Sequence, residues 1–152
     1  MLTIYIDADG CPVVDETIAI AEHFSIPVVI VCDYAHHYEE SYASVIYCDQ
    51  GKDHADFQIL QKIQKDDMVI TQDYGLATLA LGKGVQVLSQ DGILYTKDNI
   101  LLLLNQRSDN YKLRRQHIRT KNNKKRSKQQ DQAFIASLTT LLQTRLEDTH
   151  EY

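Results

Sequence analysis

The sequence predicts one α/β domain: a mostly parallel central sheet flanked by helices. Three observations predict it. Short apolar, β-branched runs alternate with longer stretches whose apolar residues recur at helical spacing, the pattern of repeated βαβ units. Gly, Asp and Pro punctuate the boundaries between them. The 152 residues suffice for one substantial core but not for two.

The elements follow in order. Residues 2–7, LTIYID, form an apolar run that reads as a buried strand. Pro12 suits the first position of a helix, with Asp15 and Glu16 in its first turn against the positive end of the helix dipole. Residues 26–32, IPVVIVC, give a second strand, and the polar, Tyr-rich residues 33–43 a loop. Residues 43–48, ASVIYC, give a third strand. Gly51 turns the chain, Asp53 can cap a helix, and Phe57, Leu60 and Ile63 recur on one helical face. MVIT at 68–71 is a short buried strand, Asp73 opens a helix, and Gly82 and Gly84 close it. VQVL at 85–88 is the fifth strand. Residues 97–106 predict a helix, 108–128 a basic loop or arm, and 129–147 a last helix with Phe134, Leu138, Leu141 and Leu142 on one face. Crossovers between parallel strands default to right-handed, and the functional crevice of such a sheet lies outside the carboxyl ends of its strands.

Charge is distributed unevenly. Residues 1–106 carry 5 Lys and no Arg against 16 Asp and Glu, a net of −11. Residues 107–128 carry 10 Lys and Arg against Asp109 alone, a net of +9. An acidic body with one basic segment points to a polyanionic partner, RNA or another nucleic acid, met through Arg114, Arg115, Arg119, Lys121, Lys124, Lys125, Arg126 and Lys128. A polar, sequence-tolerant contact of this kind has a steep salt dependence. The same charge could instead serve within the chain, neutralising the acidic body. No apolar run is long enough to span a bilayer, and MLTIYIDADG has neither a basic leader nor a small-residue cleavage site, so a cytoplasmic protein without a membrane partner is expected. Cys11, Cys32 and Cys48 form no CxxC pair and read as small buried hydrophobes.

The candidate chemistry lies in aspartates at strand ends. Asp7 closes the first strand and Asp9 follows two residues on, pointing to the same side if strand geometry persists. Asp73 lies just past MVIT, at the same sheet edge. Asp53 and Asp56 share a face of a helical first turn. Up to five carboxylates from three segments can therefore converge. Their mutual repulsion is relieved by a hard cation, Mg²⁺ or Mn²⁺, so Asp7, Asp9, Asp53, Asp56 and Asp73 are candidate metal ligands and Asp7, Asp73, Asp53 and Asp56 candidate catalytic residues. Asp53 and Asp73 also occupy positions typical of helix caps. Asp7, ending an apolar strand, has no such alternative.

The stretches DADGCPVVDE (7–16), GKDHADFQIL (51–60), MVITQDYGLATLAL (68–81), GILYTKDNI (92–100) and QDQAFIASL (130–138) resemble, in order and over nearly the whole chain, the YaiI/YqxD family. Gly10 stands where members mostly carry Ala, and residues 121–128 are richer in Lys than is usual there. The resemblance implies a PIN-like fold. Domains of that fold are typically Mg²⁺- or Mn²⁺-dependent ribonucleases whose acids come from the first strand end, an early helical turn and a strand end reading hhhTxD. Asp7 matches the first, Asp53 or Asp56 the second, and Asp73 the third, with Thr71 beside them. The function implied is a metal-dependent nuclease-like hydrolase acting on RNA. The alternative is a non-catalytic nucleic-acid-binding or regulatory domain.

DADGC also resembles the DxDGT opening of haloacid-dehalogenase-type phosphatases. There Asp7 would be a phosphorylated nucleophile and Asp9 its acid/base partner, with Thr71 and Lys83 completing the set; the further acidic pair such enzymes need is missing. HHYEE at 36–40 holds metal-capable residues in a polar loop without the spacing of a zinc site. His54 lies beside the acids and could relay protons. GKD at 51–53 lacks the glycine and the Ser or Thr of a P-loop.

Overall fold

A computed structural model describes residues 2–33, 42–49, 52–115 and 125–150, with backbone alone at 52, 53, 107–115, 149 and 150. HHYEE at 36–40, together with Arg119, Lys121 and Lys124, lies outside the described residues. So do the side chains of Asp53, Arg114 and Arg115.

The strands are β1 (Ile4–Asp7), β2 (Val28–Asp33), β3 (Ser44–Cys48), β4 (Met68–Ile70) and β5 (Gln86–Leu88). They pair in parallel in the order β3-β2-β1-β4-β5, with Ile4 of β1 opposite both Val28 and Met68. The helices are α1 (Val14–His23), α2 (Lys52–Lys62), α3 (Tyr74–Gly82), α4 (Lys97–Arg115) and α5 (Lys128–His150). Successive strand side chains point to opposite faces, and that alternation builds two cores. Ile4, Ile6, Ile30, Met68 and Ile70 pack with Ile18 and Ala21 of α1 and with Phe134, Leu138 and Leu142 of α5. Val31, Val69 and Val87 face the other way, onto Ile59 of α2, Leu76 and Ala80 of α3, and Ile100 of α4. A sheet covered on both faces needs continuous apolar strands, which is what the sequence supplies.

The strand order locates the crevice. The chain winds outward from β1 through β2 to β3, then returns to place β4 on the opposite side of β1. The winding reverses between β1 and β4, and the connections at that point diverge to opposite faces. The carboxyl ends of β1 and β4 are therefore where such a sheet opens a binding crevice.

Several boundaries differ from the sequence reading. Helix α2 already begins at Lys52, so Asp53 lies within it and is not its N-cap. Helix α1 begins at Val14, two residues after Pro12, which sits in the turn leading into it. Helix α4 runs on to Arg115, so 108–115 is helix and not loop. That stretch, SDNYKLRR, lacks an apolar stripe, but it contains no Gly or Pro and Lys, Leu and Arg are good helix formers. Periodicity detects an apolar stripe, and a helical end whose sequence carries none escapes it.

Candidate functional site

Asp7, Asp9, Gly10, Cys11, Ile70, Thr71, Gln72, Asp73 and Gln90 line a cavity of about 190 Å³ at the carboxyl ends of β1 and β4. It lies at the point where the winding reverses. Asp7 is the last residue of β1. The chain then turns through Gly10, whose φ of +74° lies in the region that favours glycine, and this turn brings Asp9 alongside β2. The Asp9 carboxylate accepts the backbone N–H of Asp33 at 3.1 Å. Thr71 follows β4 and is buried. Its hydroxyl donates to Asp7 Oδ2 at 2.8 Å and accepts the backbone N–H of Asp73 at 3.0 Å. One threonine thus ties the two strand-end aspartates together.

Asp73 is the N-cap of α3: its Oδ1 accepts from the N–H groups of Gly75 at 2.8 Å and Leu76 at 3.2 Å. Capping and site roles are compatible, because the cap uses one carboxylate oxygen. Replacing Asp73 by Ala should cost about 1 kcal/mol, whereas Asn, itself a good cap, should cost a few tenths. Urea denaturation of the two variants measures the difference, and Asp73→Asn is therefore the substitution that removes charge without disturbing the fold.

Electrostatics mark Asp7. Burial pushes its carboxyl from 3.8 up to about 6; the Thr71 hydroxyl opposes the rise, and the charges of Asp73 and Asp9 add to it. Burial also pushes the Cys11 thiol up to about 11, so Cys11 is held as a thiol and is no ready nucleophile.

Of the five expected carboxylates, Asp7, Asp9 and Asp73 line one cavity. Asp56 does not line it; it is half-buried in α2, with a partner of its own. Among the described residues no group of three or more His, Cys, Asp or Glu side chains is placed to hold one ion. The expected convergence is looser than a closed cage, since Asp9 is committed to β2 and Asp73 to its helix. What the geometry leaves is Asp7 Oδ1 and Asp73 Oδ2, which accept no hydrogen bond from the described residues. Mg²⁺ commonly binds through one or two carboxylates and completes its shell with water and substrate phosphate. Two such oxygens, one of them on the carboxylate that resists ionising, fit an ion held in that manner.

The sequence reading missed a wider regularity. All five strands end in Asp or are followed by one within three residues: Asp7 and Asp33 close β1 and β2, and Asp49, Asp73 and Asp91 follow β3, β4 and β5. Asp33 escaped because β2 extends one residue beyond the apolar run into what read as loop. The fifth aspartate has a cation among the described residues. Arg126 donates through Nη1 to Asp91 and through Nε to Asp131, both at 2.6 Å, and through Nη2 to the carbonyl of Gln90 at 2.5 Å. Arg126, expected to be a free phosphate contact, thus has intramolecular partners, while Lys125 and Lys128 are exposed.

The phosphatase arrangement does not form. Lys83 lies at the far end of α3 and its ammonium donates to the carbonyl of Leu60. Nine residues of the helix separate Asp73 from Lys83, a rise of roughly 14 Å.

The family model described as "Uncharacterized BCR, YaiI/YqxD family" matches residues 5–144. A UPF0178 protein of Ruminiclostridium cellulolyticum is 41% identical over 137 residues, 90% of each chain. One from Exiguobacterium sibiricum is 44% identical over 141 residues, 93% of this chain and 96% of the other. One from Enterococcus faecalis is 43% identical over 148 residues, 95% of this chain and all of the other. No solved structure matches significantly. No helix of the described residues is long and apolar enough to cross a membrane.

Proposed function

The chain belongs to the YaiI/YqxD family, and from that premise we propose that it hydrolyses RNA phosphodiesters with Mg²⁺ or Mn²⁺ held at the Asp7 cavity. One observation carries the reading: Asp7 and Asp73, tied through Thr71, present carboxylate oxygens at the reversal point of a parallel sheet, where Asp7 resists ionising. A bound divalent ion would supply a water of lowered pKa and neutralise phosphate charge. The protein's part is positional. Asp7 and Asp73 hold the ion's side of the cavity. Thr71 fixes their separation. Asp9, pinned to β2, adds negative charge without crowding the pair. The resemblance of these acids to those of PIN-like domains supports the same reading at the level of fold analogy.

The basic segment gives the substrate class. A body of net −11 repels RNA, and a local run of net +9 offsets that repulsion. Replacing Lys121, Lys124 and Lys125 with Ala should reduce the log–log salt slope of single-strand binding by about 2, at roughly 0.7 per phosphate contact. The melting temperature should stay unchanged. An unaltered slope assigns these lysines to solvent.

The deciding experiment incubates labelled single-stranded and structured RNA with the protein and Mn²⁺, beside Asp7→Asn and Asp73→Asn. Cleavage that is absent from the native protein, or that survives Asp7→Asn, removes the hydrolytic reading. Binding without cleavage would leave a nucleic-acid-binding domain.

A further inference from the structure

We propose that Arg126 is a positioning residue that admits an anionic group to the Asp7 cavity, by cancelling Asp91 and Asp131 at the cavity's Gln90 rim. The inference deepens the proposed function, on whose site it rests.

The cavity lining mixes two kinds of polar residue. Asp7, Asp9 and Asp73 bring negative charge. Gln72 and Gln90 are neutral amides, joined by a hydrogen bond of 3.3 Å from the Gln90 backbone N–H to Gln72 Oε1. Next in the chain after Gln90 is Asp91, the fifth strand-end aspartate, and without compensation it would add a further negative charge beside the cavity. Arg126 prevents that. It bridges Asp91 and Asp131 and also grips the Gln90 carbonyl. Gln130 adds a contact of 3.4 Å to Asp91. The three rim charges sum to −1 with Arg126 and to −2 without it. The guanidinium's influence reaches into the cavity: at the Cys11 thiol, Arg126 opposes Asp7 and Glu16. With side-chain exposures of 20% for Arg126, 29% for Asp91 and 38% for Asp131, these charges are screened only in part by salt. A phosphate would meet least repulsion over Gln72 and Gln90.

Cys11 is a built-in reporter. It lines the cavity and is half-buried, whereas Cys32 and Cys48 are buried. Iodoacetate and iodoacetamide attack the same thiolate, so the ratio of their rates cancels thiolate fraction and reads the local potential toward an anion. The ratio is measured by peptide mass spectrometry at about pH 9 in metal-free buffer.

Arg126→Ala should lower the iodoacetate-to-iodoacetamide ratio by roughly threefold to tenfold, and salt near roughly 1 M should shrink the deficit. Adding Asp91→Asn and Asp131→Asn to that variant should restore the ratio. The double variant Asp91→Asn, Asp131→Asn with Arg126 intact should exceed the native ratio, and it decides the matter if Arg126→Ala fails to fold. An unchanged ratio in both variants overturns the proposal. A deficit that neither salt nor charge removal restores also overturns it, by showing that Arg126 only shapes the wall. The alkylation needs neither metal nor RNA, so its failure is separate from a failure of the hydrolytic reading. If the RNA assay succeeds, Arg126→Ala should raise KM by a similar factor and leave kcat within about twofold, with the KM defect shrinking in high salt.

Discussion

Replacing Asp7 by Asn is expected to stabilise the protein and, on the proposed function, to remove cleavage of RNA. The two effects share a cause. Burial, opposed by Thr71 and reinforced by Asp73 and Asp9, raises the Asp7 carboxyl from 3.8 to about 6. The folded chain therefore holds this proton more tightly than the unfolded chain does. The stability it contributes is fully present below pH 3.8 and is lost as pH rises through about 6. Above that window the ionised carboxylate burdens the fold by at most about 3 kcal/mol, and partial exposure reduces this to about 2 kcal/mol. Asn keeps an oxygen for the Thr71 hydroxyl and carries no charge. Urea denaturation in metal-free buffer should show the variant and the native protein alike at about pH 4, and the variant ahead by about 2 kcal/mol at about pH 8. A difference independent of pH would mean that Asp7 is not held as described. Cleavage of RNA in Mn²⁺ should fall by roughly a hundredfold or more, as is usual when a group that stabilises developing charge is removed. A residue that costs stability where the protein works is a mark of a functional site, since stability and activity commonly trade against each other there.

The framework around Asp7 was legible in the sequence because burial writes itself into local pattern. The apolar runs of β1, β2 and β4 and the spacing of Phe134, Leu138 and Leu142 follow directly from which faces are covered. Asp7 and Asp73 were legible too, because a strand end is a sequence position. Other features depend on distance in space. That Asp9 would turn to the N–H of Asp33 follows from the register of β1 against β2, which no local pattern encodes. Arg126 read as one cation in a run of ten. Its partners Asp91 and the Gln90 carbonyl lie 35 and 36 residues away, and sequence charge carries no record of partners. The far half of α4 was missed for the opposite reason: its sequence holds helix formers without an apolar stripe, and stripes are what periodicity finds.

Mn²⁺ should stabilise the protein, and should do so far more at about pH 7.5 than at about pH 5. A ligand that binds only the folded chain stabilises it by mass action, about 2.7 kcal/mol at a free concentration a hundredfold above Kd. Binding at the proposed site would require ionised Asp7. At pH 5, below its value of about 6, most of the protein carries a proton on that carboxylate and the ion must displace it, so apparent affinity falls by roughly tenfold for each pH unit below the pKa. The bound ion also reverses the sign of the site's own pH dependence. Without it, ionising Asp7 costs stability; with it, the carboxylate gains a partner and its proton affinity drops. Thermal melts across pH, with and without millimolar Mn²⁺, should therefore diverge as pH rises through about 6. Asp7→Asn should abolish the shift. Asp73→Asn should weaken it while leaving the helix cap in place, since the cap uses Oδ1 and Asn retains an acceptor there. Equal shifts in the native protein and Asp7→Asn would place the ion elsewhere on this acidic body, and the hydrolytic reading of the cavity would lose its metal.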